Sequence, residues 1–245
     1  MRISRLFIEA DYQEQQVLNL SKEQAHYVLT VLRLKNDYEL ELFNGCGLLA
    51  KAKLIATSRR SADVLIYAVE ELNNESPLHT VLVQGISRGD RMDYSIQKAV
   101  ELGVSAIQPI FTERCEVKLQ ADKIEKRQNQ WQAIVINACE QSGRTTVPKI
   151  LPIQTYQAWL DQLNSDCFGL VLDPYATNKL STIQQPVNNT TTQLLVGPEG
   201  GLTEEEVSLA TQKGLTPVQL GPRVLRTETA GPAVLAILQS LWGDF

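Results

Sequence analysis

The sequence predicts an α/β protein in two parts: a small β-rich N-terminal unit and a larger C-terminal domain built on a mostly parallel sheet. Three observations carry this. Up to about Val69, apolar residues fall in short runs broken by turn residues. From Thr80 onward the rhythm becomes short buried runs alternating with helical patterns, which implies a parallel sheet covered by helices. Near the C-terminus, two apolar runs turn sharply on Gly and Pro, and such strand-to-loop junctions are where open α/β sheets bind ligands.

In the N-terminal unit, Arg5-Leu-Phe-Ile8 reads as a strand. Ser21 with Gln24 is a capping box that opens a helix running to about Arg33. Glu39-Leu-Glu-Leu-Phe43 alternates and ends at Asn44-Gly45, a hairpin signal. Residues 48–56 and 64–69 supply two further strands. Asn73-Asn-Glu-Ser-Pro77 is a polar breaker and the expected linker, dividing the chain into residues 1–72 and 73–245.

In the second part, Val81-Leu-Val-Gln84 is a buried-strand run, and residues 93–102 form an amphipathic helix ended by Gly103. Ala106-Ile-Gln-Pro-Ile110 is strand-like. A long helix over residues 123–140 carries Ile124, Trp131, Ile134 and Val135 on its apolar side. Phe168-Gly-Leu-Val-Leu172 and Gln193-Leu-Leu-Val196 are short buried strands, and Thr203 with Glu206 forms another capping box. Asn188-Asn-Thr-Thr-Thr192 is a polar loop. Gly231-Pro232 is expected in the first turn of a last helix, where proline is tolerated. The pattern alone predicts an unknotted doubly wound sheet, because knots are very rare.

Composition bounds the function. The 245 residues are 43% hydrophobic, and no apolar run approaches the length of a membrane span. Glu9 and Asp11 interrupt what would be a signal-peptide core, so the expectation is a cytoplasmic protein. Cys46, Cys115, Cys139 and Cys167 are scattered with no C-x-x-C, and His26 and His79 are the only histidines. Neither a zinc site nor a disulfide framework is expected, and the cysteines read as small buried hydrophobes. The net charge of −5 argues against a general nucleic-acid coat. Its distribution is uneven: −2 over residues 1–87, +2 over 88–149 and −5 over 150–245. Contact with a polyanion is thus expected through a local patch in the first 150 residues.

The two C-terminal loops are Leu195-Val-Gly-Pro-Glu-Gly-Gly-Leu202 and Leu220-Gly-Pro-Arg-Val-Leu-Arg-Thr-Glu-Thr-Ala230. They contain neither G-x-G-x-x-G nor a P-loop, since no Lys-Ser or Lys-Thr follows. By themselves they read as ligand loops or as plain structural turns. Their order, spacing and wording resemble the ribosomal RNA small subunit methyltransferase E family of the SPOUT RNA methyltransferases. Gly89-Asp-Arg-Met-Asp93, Gln97-Lys-Ala-Val-Glu-Leu-Gly103, Thr112-Glu-Arg-Cys115, Ala138-Cys-Glu-Gln-Ser-Gly-Arg144, His26 and Val31-Leu-Arg-Leu34 follow in the family's order. Asn36-Asp37 stands where a Gly-Asp turn is usual, and Asn tolerates the left-handed backbone nearly as well.

The resemblance implies a PUA-like β-barrel, then a SPOUT α/β domain with a trefoil knot, in a homodimer; no metal is expected, from the cysteine and histidine usage above. It implies S-adenosylmethionine-dependent methylation of N3 of a uridine in 16S ribosomal RNA, within the small subunit. The cofactor pocket would comprise Leu172, Leu195, Val196, Gly197, Pro198, Glu199, Gly200, Gly201, Leu220, Gly221, Leu225, Thr227, Thr229 and Ala230. The chemistry is a direct displacement, so positioning is its major part; Arg91, Arg114 or Arg226 would stabilise developing charge, and Glu199 or Glu228 would accept the N3 proton. Arg5, Lys22, Arg33, Arg88, Arg91, Arg114 and Arg144 are the RNA-binding candidates, since a guanidinium fork suits phosphates and base edges; an isolated arginine otherwise joins a surface ion pair. Glu204-Glu-Glu206 reads as first-turn helix chemistry, His26 as a satisfied structural residue with RNA contact as the alternative, and Trp131, Trp159 and Trp242 as packing or interface residues. The alternatives are ribose 2′-O-methylation, a non-catalytic RNA-binding assembly factor, and a nucleotide-binding oxidoreductase, which lacks its fingerprint.

Overall fold

Alternation of apolar and polar residues builds the N-terminal part into one curled sheet. The computed structural model describes residues 3–58, 61–164, 167–186 and 190–245. It divides into two units, Met1–Glu75 with Cys139–Val147, and Ser76–Ala138 with Pro148–Phe245.

In the first unit, β1 (Ser4–Phe7), β2 (Val17–Asn19), β3 (Glu39–Phe43), β4 (Leu48–Thr57) and β5 (Ala62–Glu71) pair in the order β1-β3-β4-β5-β2. β1 lies parallel to β3 and the other neighbours are antiparallel. Leu40 and Leu42 of β3 and Val64 and Ile66 of β5 turn the same way into a core shared with Leu6 and Leu54. Register shifts at Lys51/Ala52 and Leu54/Ala56 bulge the β4–β5 pair, which bends the strands and increases their twist. At the expected Asn44-Gly45 hairpin, Asn44 Oδ1 accepts from the amides of Cys46 and Leu48. Cys46 in that turn is exposed, and Cys115 and Cys167 are half-buried; Cys139 alone of the four is a buried small hydrophobe as expected.

The Ser21–Gln24 capping box opens α1 (Lys22–His26) as anticipated. Regular helix ends at His26, however, and widens into a π-helical turn, Tyr27–Val31. The β-branched Val28, Thr30 and Val31 are stiff at χ1 and crowd a regular helix. His26, expected to be packed, is exposed. Residues 139–147 belong to this unit through hydrogen bonds: Thr146 bridges Gly45 and Cys46, Val147 N donates to Gly45 O at 3.0 Å, and the Thr145 side chain donates through Oγ1 to Leu72 O at 2.6 Å.

The second unit follows the predicted strand–helix alternation. In chain order it contains β6 (Thr80–Gly85), α2 (Asp90–Glu101), β7 (Ala106–Phe111), α3 (Ala121–Ser142, whose last turn belongs to the first unit), β8 (Lys149–Ile150), β9 (Gln154–Thr155), α4 (Tyr156–Asp161), β10 (Phe168–Leu172), β11 (Thr192–Val196), α5 (Glu204–Gln212), β12 (Leu215–Val218) and α6 (Thr227–Trp242). Its sheet has the order β12-β10-β11-β6-β7-β8, with β9 also on β7, and its pairings are parallel. Buried Val83, Ile110, Val171 and Leu195 pack with Tyr156 and Trp159.

Pro109 explains why β8 and β9 are separate. Ile107 O accepts from Leu151 N, so Pro109, two residues on, faces the same neighbours. Proline has no N–H for that ladder; pairing stops at Ile107 and resumes at Ile110. The buried Gln108 amide fills the gap, donating to Pro109 O at 2.9 Å and Pro152 O at 2.7 Å.

Two expectations about helices change. α6 begins at Thr227, so Pro232 lies inside it rather than in its first turn, leaving the Glu228 carbonyl without the usual N–H partner. Glu206 does more than favour the helix dipole. It completes the α5 capping box with Thr203, is 6% exposed, and also accepts from Glu113 N at 2.9 Å. In the polar loop expected at 188–192, Asn188 and Asn189 lie outside the described residues, and Thr192 starts β11. Among the described residues no helix is long and apolar enough to cross a membrane.

Candidate functional site

Gly201 and Gly221 take φ of 71° and 104°, backbone that side-chain-bearing residues rarely adopt. These turns fold two loops, 197–202 after β11 and 219–226 after β12, over the carboxyl ends of β10, β11 and β12. With the first turn of α6 they enclose a cavity of about 370 Å³, a volume typical of small-molecule sites. Gly201 N donates to Pro198 O at 2.9 Å, closing the first loop. Arg114 holds it from outside, donating through Nη1 to Gly200 O at 3.2 Å and Leu202 O at 3.3 Å.

Most sequence-predicted pocket residues line the cavity: Leu172, Val196, Gly197, Pro198, Glu199, Gly201, Leu220, Gly221, Leu225, Thr227 and Ala230. Three do not. Leu195 is fully buried in the sheet core beside Tyr156 and Trp159. Gly200 faces Arg114, whose Cβ is 2.8 Å from where a Cβ of Gly200 would stand. Thr229 is exposed on α6. Strand alternation and helical rotation separate these neighbours in sequence onto different faces. Asp173, Pro174, Val218, Gln219, Arg223 and Val224 also line the cavity without having been singled out. Arg223 and Val224 lie within the second loop and Asp173 follows a strand legible in sequence; β12, which places Val218, is hidden by Pro217 within it.

Of the three proposed catalytic groups, Glu199 and Glu228 lie beside Arg91, which also lines the cavity, and Arg226 lies beside Glu228. Glu199 Oε1 accepts from Arg88 N at 2.9 Å and from Arg91 Nη1 at 3.1 Å. Arg91 Nε lies 3.9 Å from Glu228 Oε1, and Arg226 Nη1 lies 4.0 Å from the same oxygen. Burial alone would raise the Glu199 carboxyl. The amides of Arg88 and of Glu199 itself, with the Arg91 guanidinium, outweigh it and hold the group below the usual carboxylate range. Glu228 Oε2 is buried with no hydrogen-bond partner.

The arginines divide. Arg88, Arg91, Arg114 and Arg226 are at least partly exposed around the loops, and Arg88 pairs with Glu116 at 2.6 Å. Lys22 and Arg33 are exposed in the first unit. Arg5 and Arg144, expected to contact RNA, are instead turned inward. The Arg144 side chain is 7% exposed and pairs with Glu75; that of Arg5 is 9% exposed, 3.5 Å from Glu41 and stacked on Phe43. Buried guanidinium groups need such partners, so their forks are already engaged. Among the described residues, no group of three or more His, Cys, Asp or Glu could hold a metal ion.

A family model described as RNA methyltransferase domain matches residues 74–239, and one described as RNA methyltransferase PUA domain matches residues 20–67. A ribosomal RNA small subunit methyltransferase E from Buchnera aphidicola is 36% identical over 99% of this chain and 98% of its own. The chain belongs to the ribosomal RNA small subunit methyltransferase E family. A family structure from Neisseria gonorrhoeae, bound to S-adenosyl methionine, matches with a TM-score of 0.92 and 42% identity, covering all of both chains. A methyltransferase from Legionella pneumophila, in complex with the same cofactor, matches with a TM-score of 0.94 and 38% identity, also at full coverage. Within this family, the first unit is a PUA-like domain and the second a parallel-sheet methyltransferase domain.

Proposed function

We propose that the protein methylates N3 of a specific uridine in 16S ribosomal RNA, using S-adenosylmethionine bound in the cleft between the two Gly-Pro loops. Membership of the family makes it an S-adenosylmethionine-dependent ribosomal RNA methyltransferase; the cleft is the observation that carries the assignment of residues. Its shape and chemistry fit the cofactor. Leu172, Val196, Leu220 and Leu225 offer an apolar slot, Gly197 and Gly221 bring backbone into the lining, and Glu199 and Glu228 add negative charge near a cationic ligand. When bound there, the cofactor supplies an electrophilic methyl group.

The chain's own residues then have separable tasks. Arg91 and Arg226 flank Glu228 and stabilise charge that develops on the uracil ring. Glu199, held anionic by Arg88 and Arg91, is a weak base and serves to fix the loop. The N3 proton therefore passes to the Glu228 carboxylate, whose Oε2 has unused acceptor capacity. Arg88, Arg91 and Arg114 approach the RNA backbone from the methyltransferase domain, and Lys22 and Arg33 from the PUA-like domain.

The same reading assigns residues 1–72 to RNA positioning and 73–245 to transfer, in a cytoplasmic homodimer acting on the small subunit. It includes a trefoil knot. The family resemblance supports the knot; the chain itself runs from β11 past β10 to the edge strand β12, and α6 then packs against α2 and β11. Calorimetry with S-adenosylmethionine, followed by mapping of the methyl group on small-subunit RNA, tests the reading. Arg226→Ala is expected to bind cofactor and remain folded while methylation falls by about 100-fold or more. Unchanged turnover removes Arg226 from the mechanism, and a methyl group mapped to a ribose O2′ replaces the N3 assignment.

A further inference from the structure

Gln84 is buried at the carboxyl end of β6, and its polar atoms are not explained by the sheet. Its backbone pairs with Val196 of β11 on one side and Pro109 of β7 on the other, and none of the residue is exposed. A carboxamide in such a place is costly unless it is hydrogen-bonded. Nε2 donates to Thr227 Oγ1 at 3.0 Å and to Gly85 O at 3.0 Å, with Gly197 O at 3.5 Å. Thr227 Oγ1 donates in turn to Gly197 O at 2.6 Å.

These directions are forced. A hydroxyl has one hydrogen to give, and Thr227 gives it to Gly197, so it can only accept from Gln84. Turning the amide over would set Oε1 against the carbonyl oxygens of Gly85 and Gly197. In the orientation present, Oε1 is the atom left without a hydrogen-bond partner. It points toward Gly231, where a Cβ would stand 3.6 Å away. One buried acceptor is thus left unmet so that the donor can face the loops.

We infer that Gln84 is a positioning residue for methyl transfer. Through Thr227 it ties the carbonyl at the start of the 197–202 loop to the first turn of α6, and so sets the spacing of the two walls of the cleft. Gly197 opens the loop that carries Glu199, and Thr227 stands between Arg226 and Glu228, so the relay joins the segments that carry these three groups. The inference rests on the reading of the cleft as the S-adenosylmethionine site.

The test compares wild type with Gln84→Met, Thr227→Val, Thr227→Ser and the double variant Gln84→Met/Thr227→Val. Cofactor affinity is measured by calorimetry, and folding by thermal unfolding. Methionine has the length of glutamine without its amide, and valine the shape of threonine without its hydroxyl. Gln84→Met and Thr227→Val are each expected to weaken binding by about tenfold, as loss of a buried hydrogen bond would. Thr227→Ser recovers most of what Thr227→Val loses. The double variant is no weaker than its weaker parent, because both substitutions cut one relay. Wild-type binding by Gln84→Met, or fully additive losses in the double variant, overturns the positioning role and leaves the cofactor reading standing. Absence of binding by folded wild type overturns both. If Gln84→Met does not fold, the position-227 variants decide: a loss in Thr227→Val that Thr227→Ser recovers supports the relay, and equal affinity in the two overturns it.

Discussion

Arg144 and Glu140 lie four residues apart and show how much a side chain's role depends on what the fold brings to it. Arg144 Nε donates to Glu75 Oε1 at 3.1 Å, across 69 positions of sequence. Nothing local distinguishes it from Arg114, which remains exposed beside a similar polar turn. Residue type made both arginines RNA candidates; burial, which only the tertiary structure supplies, separates them. Glu140 shows the cost of enclosure. Burial raises its carboxyl, and the Phe7 amide and Arg5 offset this only in part. A carboxyl raised in the folded state favours folding when protonated, and that advantage is lost as pH rises through its folded value. Glu140→Gln keeps an acceptor for Phe7 N and removes the buried charge. Its unfolding temperature is therefore expected to equal or exceed that of wild type at pH 8, with the difference vanishing below the ordinary carboxylate range. Thermal melts across pH check this, and a lower midpoint at pH 8 would show that the attraction of Arg5 outweighs burial.

At the level of elements, legibility followed length and periodicity. The long helix α3, the capping boxes of α1 and α5, and the apolar runs of β6, β7, β10 and β11 announce themselves in sequence. The elements missed are short or contain a breaker. β2, β8 and β9 are too brief for periodicity, and Pro217 within β12 reads as a turn. Its position is permitted because β12 lies at the edge of the sheet. Glycines and prolines mark the two turns of the cleft, and the family resemblance, not the turns themselves, makes them a cofactor pocket; the faces of Leu195 and Thr229 are not legible, because they depend on strand register and helix rotation. Gly85 belongs to the same order of structure. A Cβ there would stand 2.6 Å from both Cδ and N of Pro198, so the end of β6 sets how closely the 197–202 loop can approach. Gly85→Ala is expected to displace that loop, destabilise the domain by about 1–3 kcal/mol and weaken S-adenosylmethionine binding. Calorimetry and thermal unfolding measure both effects; unchanged affinity would mean that the loop yields without consequence for the cleft.

On the scale of the whole molecule, net charge is a poor guide to where RNA would be met. The chain is acidic overall, yet four arginines stand at least partly exposed around the cleft. Affinity for RNA is expected to fall with salt by fewer effective phosphate contacts than a basic protein would show, and binding measured from low to high salt reads that slope directly. A steep slope would place more of the surface in contact than this patch provides. The first unit, meanwhile, is not one stretch of chain: it takes in residues 139–147 as well as the first 75. Synthesis is vectorial, so when Glu75 has been made its partner Arg144 does not yet exist. The early part of the nascent chain must wait, incompletely closed, while more than sixty further residues are added. The last piece of the earliest-made unit thus arrives after the first strands of the next, and the order of translation is not the order in which the two parts can be finished.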